Sequence, residues 1–409
     1  MKTKILPPIL LITMGLLIGC HSESKDERVP ANLEHALGLV DSTTVNGITL
    51  HWIAIYADAP EYQPVVAKGE GVTCVDDVGR FLEVLEYGIN VEKREDHLPI
   101  AAGMTEFLLY MSREDGLWYN FMWADGSINE DYRTSVASFQ WWAVRGLRGL
   151  GAAHQLFRNR WEYQDLLQRI ESRIATAGPH INQLLADSTI MVTMDGEERP
   201  GWNLSGAPDQ TSELLLALAG MQQSTAAFDE SSIRLLADAL LGWQYTGEGP
   251  YDGMYYCWQN TWHGWGNNQA LALLRAYEIT GETRYLASVE RWANGFVQHL
   301  VNDKMLAEVT NTGSDGWATK EYPQIAYGVA STYRGLKLLS ETVPRESYEQ
   351  LSEAVFAWFK GANAAKTTMY DAGTGRCFDG INDERSVNRN SGAESTIECL
   401  LAIQARGGW

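Results

Sequence analysis

The chain has 409 residues, with 52 Asp and Glu against 32 Lys and Arg and a formal net charge of −20. That balance argues against a nucleic-acid partner, whose phosphates would be repelled, and a solvated acidic surface explains it without requiring a basic partner. The length suits one large domain or two ordinary ones.

The N-terminus reads MKTKILPPILLITMGLLIGC. Lys2 and Lys4 form a positive n-region, and Ile5 to Ile18 is an apolar h-region too short to span a bilayer comfortably. Leu17-Ile18-Gly19-Cys20 resembles a bacterial lipobox, which implies a signal peptide over 1–19, cleavage before Cys20 and lipidation of its thiol. The polar stretch 20–30 then reads as a tether, and 31–409 as one domain. The expectation is an exported, otherwise soluble lipoprotein, periplasmic or at the cell surface and anchored to the membrane through Cys20. Nothing in the sequence speaks for more than a monomer.

Residues 32–40 read as a short helix, and ITLHWIAIYA (Ile48 to Ala57) as a strand, being rich in β-branched and aromatic residues. Helical periodicity dominates from Val72 onward. It marks helices at 73–90, 97–113, 133–157, 160–186, 209–224, 229–244, 264–280, 283–302, 322–341, 346–362 and 391–405. Some connections are tight, such as TGETRY from Thr280. Others are long and aromatic, such as GLWYNFMWADGSINEDY from Gly116 and PYDGMYYCWQNTWHGWG from Pro250. Short and long connections alternating along a train of helices predict an all-α fold, an (α/α)6 barrel whose long loops gather at one rim, with a short β or irregular segment at the N-terminus. ELLLALAGM from Glu213 and QALALLRAY from Gln269 are apolar on more than one face, as helices of an inner ring must be. No Pro/Ser-rich linker divides the chain.

Cys74, Cys257, Cys377 and Cys399 lie far apart, without the pairing a zinc site needs. Disulfides and buried thiols both stay open on the sequence alone. No metal or other cofactor is called for, although an oxygen-ligated calcium site leaves no sequence trace.

Two adjacent aspartates open the first long helix, in TCVDDVGR (Thr73 to Arg80). Thr73 with Asp76 three residues on has capping-box spacing, and Asp76 shares a polar stripe with Arg80, its i+4 neighbour. Asp77 shares the apolar stripe of Phe81 and Val84. A carboxyl there is partly buried, its pKa rises, and it suits a general acid. Asp77 is therefore the stronger catalytic candidate and Asp76 the weaker. Glu394, in RNSGAESTIECLL, and Asp252 are candidates for the second carboxylate, and His263 for proton transfer.

The loop aromatics Trp118, Tyr255, Trp258, Trp262, Trp265 and Trp317 combine flat faces with polar neighbours, as sugar sites do. Arg376, Asp379 and Arg389 in the long loop before the last helix are candidate hydroxyl-binding groups.

TCVDDVGR resembles the C-x-DD-x-x-R motif of bacterial α/α-toroid domains often found fused to glycosyltransferases. WYNFMWADGSINEDYRTSVASFQWWAVRGLRGLGAA (Trp118 to Ala153) is similar to that group's second block, an F-x-N-F-M turn followed by a helix ending in R-x-L-x-x-L-G. NSGAESTIECLLA (Asn390 to Ala402) resembles the closing helix of carbohydrate-active α/α-barrel enzymes. The resemblance covers most of the chain from about residue 70 and implies an (α/α)6 barrel with a glycan-related role. Gly79-Arg80-Phe81 stands where that pattern has Ala-Arg-Ala.

The expected function is glycoside hydrolysis of an extracellular glycan by two carboxylates, Asp77 as acid and Glu394 or Asp252 as base or nucleophile. The runner-up is a polysaccharide lyase on a uronic-acid polymer, with His263, Tyr255, Asn260 and Arg389 in its roles. A glycan-binding surface lipoprotein without catalysis is the third reading.

Overall fold

The structure is a computed structural model that describes residues 28–222, 228–303, 305–313 and 316–409. The signal segment and Cys20 lie outside the described residues. In chain order the helices are α1 (Glu34–Gly38), α2 (Val75–Asn90), α3 (Leu98–Met111), α4 (Trp141–Phe157), α5 (Gln164–Ala175), α6 (Gly178–Ala186) and α7 (Pro208–Gln222). They continue with α8 (Glu230–Leu241), α9 (Gln269–Thr280), α10 (Thr283–Trp292), α11 (Gln298–Asn302), α12 (Ala326–Thr342), α13 (Glu346–Phe356) and α14 (Ala393–Arg406).

Six of these helices contact one another in a closed cycle: α2 packs on α4, α4 on α7, α7 on α9, α9 on α12, α12 on α14, and α14 back on α2. The others pack outside it, α3 and α5 on α4, α8 on α7 and α9, α10 on α9, and α13 on α12. Composition explains the division. α7 buries every residue from Pro208 to Ala219, because it meets neighbours on both flanks. α10 buries one stripe, Tyr285, Ser288, Val289 and Trp292, because its far side faces water.

The crossing of α2 and α4 depends on a glycine. A Cβ at Gly79 would lie 2.5 Å from the Arg145 carbonyl oxygen, so α2 and α4 meet at a distance that an alanine would not permit. This is the position where the resembling domains carry alanine.

Connections leaving the cycle helices are short, such as 281–282 and 343–345, and those entering them are long, such as 112–140, 242–268 and 357–392. Small antiparallel sheets fasten the long ones. Thr73–Cys74 pairs with Phe121–Met122. Thr261–His263 and Trp317–Lys320 flank Glu308–Asn311. Gln324–Ile325 pairs with Gly380–Asp383. The long loops therefore collect at the N-terminal ends of the cycle helices. Before the first of these, Val40–Val45 and Ile48–Ile53 form a hairpin that packs on α3.

Several element boundaries differ from the sequence expectation. Residues 133–140 are not helical: the Ser135 hydroxyl accepts the backbone N–H groups of Asn120 and Phe121, and Ser138 bridges Trp118, so this stretch is tied to a strand. The span 160–186 is two helices, α5 and α6, after a short turn at Trp161–Tyr163. The expected helix from 322 starts only at Ala326, because Gln324–Ile325 is a strand paired with Gly380–Asp383. The four described cysteines are buried free thiols.

Candidate functional site

A cleft of about 300 Å3 opens at the N-terminal ends of α2, α4, α12 and α14, lined by Tyr56, Asp76, Asp77, Arg80, Arg145, Tyr327, Asp379 and Glu394, among others. Four helix N-termini point partial positive charge toward it, a setting that favours carboxylates.

Its centre is Arg80. Nη2 donates to Asp77 Oδ1 at 2.6 Å and to Glu394 Oε2 at 3.2 Å, and Nη1 donates to Glu398 Oε1 at 3.2 Å. One guanidinium thus serves three carboxylates. Burial works against its charge, but Glu394, Asp77 and Glu398 outweigh that and hold it protonated. It can neutralise only one of them. Burial raises the Asp77 pKa, Arg80 opposes the shift, and the neighbouring Glu394 adds to it. Burial likewise raises Glu398. The Asp77 side chain is 3% exposed and that of Glu394 47%, so Glu394 is the carboxylate open to solvent.

The capping expectation for Asp76 does not hold. The residue preceding α2 is Cys74, which makes no side-chain capping bond, and the Thr73 hydroxyl is buried without a partner. The strand pairing of Thr73 with Met122 turns that hydroxyl away from the helix end. Asp76 reaches across the cleft instead, accepting from Asn120 Nδ2 at 3.0 Å and Arg145 Nη1 at 3.1 Å. Arg80 pairs with Asp77, not with the Asp76 carboxylate, and only its Nε meets the Asp76 carbonyl. Asp77 is buried with Phe81 and Val84, as its stripe predicts, and its oxygens also accept from Arg80 and from the Cys74 thiol, which donates at 3.2 Å.

Polar contacts continue around the mouth. Arg145 Nη2 donates to the Tyr327 hydroxyl at 2.7 Å, which meets Glu213 Oε1 at 3.5 Å. Glu213 also accepts from Asn268 Nδ2 at 2.8 Å and pairs with Arg148. Burial opposes the Glu213 charge, but Arg148 and Arg145 prevail and lower its pKa to about 2. One turn earlier on α7, Asp209 faces His263 Nε2 at 3.3 Å. Burial disfavours the charged His263 ring, yet Cys257 and Asp209 push its pKa up to about 10.

The structure brings Asp76, Asp77, Glu394 and Asp379 together in one cleft and leaves other candidates elsewhere. Asp252 pairs with Arg291 at 2.7 Å, outside the cleft. Trp118, Tyr255 and Trp262 are 1%, 2% and 3% exposed and have no open face for a sugar; they are core residues. The Tyr255 hydroxyl is engaged by Ser288, and Asn260 is tied to the Asn311 carbonyl. Trp317 packs against Tyr245 and Tyr251. Arg376 lies over Tyr62 and Arg389 over Phe378. Asp379 accepts from Ser395 Oγ at 2.6 Å and the Gly392 N–H at 3.2 Å, anchoring the start of α14. Trp258 and Trp265 are exposed.

Arg145, Tyr327, Glu213 and Glu398 complete the site without having been singled out as central. Arg145 is the arginine of the R-x-L-x-x-L-G stretch and was legible there; Tyr327 has no sequence signal beyond its place in the first turn of a helix.

No protein-family model and no curated protein matches the chain. Solved structures do. A cellobiose 2-epimerase from Bacillus thermoamylovorans is 13% identical, with a TM-score of 0.60 over 92% of this chain and 96% of that one. A family 76 α-1,6-mannanase from Salegentibacter is 11% identical, with a TM-score of 0.54 over 91% and 96%. A polysaccharide lyase is 11% identical, with a TM-score of 0.50 over 81% and 90%. At these identities the likeness establishes a shared fold along nearly the whole chain, the fold of carbohydrate-processing enzymes.

Proposed function

We propose that this chain is an (α/α)6-toroid glycoside hydrolase, exported as a lipoprotein through Cys20, that cleaves a neutral extracellular glycan. The observation that carries the reading is the meeting of Asp77 and Glu394 on one nitrogen of Arg80 inside the cleft. Glycoside hydrolysis needs one carboxyl that holds a proton and one carboxylate. Asp77, raised by burial and by crowding of negative charge, suits the first role. Glu394, open to the cleft, suits the second. Oxygens 2.6 and 3.2 Å from one nitrogen are at most about 5.8 Å from each other, less than the roughly 6.5–9.5 Å an inverting pair keeps for water, so the expected outcome is retention of configuration. Asp76 and Arg145 then orient the sugar.

The cleft also speaks to substrate charge. Glu70, Asp76, Asp77, Asp379 and Glu394 line it against Arg80 and Arg145. A polyuronate would add like charge, whereas a neutral glycan would not. Among the fold relatives, one structure is an inactive mannanase variant with two adjacent aspartates replaced by asparagine, in complex with α-1,6-mannotriose. That supports, by analogy, chemistry at an adjacent aspartate pair.

The test is product analysis with neutral oligosaccharides. Glu394→Gln and Asp77→Asn are each expected to lower kcat by about 10²–10⁴-fold while retaining binding. Unchanged turnover in Glu394→Gln would falsify the assignment. A second reading, proton transfer on the sugar itself, is favoured by the facing of His263 and Asp209 at 3.3 Å. Elimination would yield shorter products with an unsaturated, ultraviolet-absorbing end and epimerisation a product of unchanged chain length, whereas hydrolysis yields shorter, saturated products.

A further inference from the structure

We propose that a second sugar subsite, built on Trp265 and Trp141, adjoins the cleft on the side of Arg145, so that the substrate is an oligosaccharide spanning both. This rests on the glycan reading above and adds to it where a further sugar ring sits.

Trp265 is the platform. Its ring stacks on His263 with centroids 3.6 Å apart and planes 13° from parallel, so one face is covered from within the protein. The residue nevertheless remains 47% exposed. A large aromatic held flat by a partner beneath it, with its other side open, is the geometry that takes the C–H face of a pyranose.

The platform is fixed, not incidental. His263 Nδ1 donates to the Trp265 carbonyl at 2.5 Å, and Nε2 lies 3.3 Å from Asp209 Oδ2. The Nδ1 bond to the carbonyl of Trp265 itself fixes the ring that carries the stack. His263 is therefore a positioning residue for Trp265. Gly266, at φ +67°, completes the arrangement: a Cβ there would come within 2.7 Å of the Trp141 ring. Trp141 thus packs against the backbone just after Trp265, their rings 6.4 Å apart and tilted by 47°.

Arg145 joins platform to cleft. Its guanidinium lies 4.6 Å over Trp141 and bonds Asp76 in the cleft. Its Nε is buried without a partner, as are Gln210 Oε1 and the side-chain carbonyls of Asn267 and Asn268, which follow Gly266 in the chain.

The experiment is calorimetric titration of the full chain carrying Glu394→Gln with neutral cello- and α-1,6-manno-oligosaccharides of two, three and four residues. Affinity is expected to rise with chain length. Adding Trp265→Ala is expected to cut tetrasaccharide affinity about tenfold and disaccharide affinity by less than about twofold, and Trp265→Phe to restore most of the loss. Tetrasaccharide affinity unchanged by Trp265→Ala, or an equal loss at every length, overturns the subsite. Full turnover by Glu394→Gln with the binding pattern intact overturns the hydrolase assignment and leaves the subsite standing. No binding of any oligosaccharide overturns both.

Discussion

Asp76 and Asp77 differ by about 100° of helix rotation, and that rotation gives them different partners. Asp76 turns toward α4 and meets Arg145; Asp77 turns toward α14, where Arg80 ties it to Glu394 and Glu398. Buried charges also lie beneath the site. Glu213 is fully enclosed, with Arg148 and Arg145 lowering its pKa to about 2 against an ordinary 4.5. A carboxylate depressed in the folded state contributes stability that is present above its unfolded pKa and lost as pH falls through the folded one. Glu213→Gln is therefore expected to flatten the stability loss between about pH 4.5 and pH 2 in denaturant melts. Glu213→Ala is expected to destabilise the protein by about 1–3 kcal/mol at neutral pH, because it removes one of the two carboxylates that Arg148 pairs with and leaves it on Glu83. A variant melting like wild type at both pH values would contradict the account.

At the scale of elements, the α2–α4 crossing carries the site, since Asp76, Asp77 and Arg80 lie on one helix and Arg145 on the other. Gly79→Ala would drive a methyl group into the Arg145 carbonyl and separate the helices by a few tenths of an ångström. The expected cost is about 1–3 kcal/mol of stability, together with a fall in kcat larger than that in a control Gly220→Ala, a position with open space around it. Equal melting temperatures for Gly79→Ala and wild type would refute the close approach. The helices were legible because their periodicity is local, and the alternation of short and long connections was legible because turn residues announce it. The start of α4 was not: residues 133–140 have helical periodicity, but the Ser135 hydroxyl is claimed by backbone across the loop. Trp118, Tyr255 and Trp262 misled for a similar reason, since aromatic residues in a loop read alike whether the loop folds inward or outward.

At the scale of the whole molecule, the closed helix cycle makes the last helix part of the first helix's environment. α14 supplies Glu394 and Glu398 to Arg80 and fills the gap between α12 and α2. A chain ending at residue 390 is expected to lose cooperative unfolding, because Arg80 and the apolar flanks of α2 and α12 would be uncovered. A sharp thermal transition retained by that truncation would show that the cycle is dispensable.

The sequence by itself determined that the protein is a train of helices with two kinds of connection, that two of those helices are apolar on more than one face, and that carboxylates crowd helix starts near aromatic loops. These are properties of neighbours in the chain. Only the tertiary structure decided which carboxylates converge. Arg80 and Glu398 are 318 residues apart, and Arg145 and Tyr327 are 182 apart. No local pattern encodes such pairs; they exist because closure of the cycle brings distant helix N-termini to one mouth.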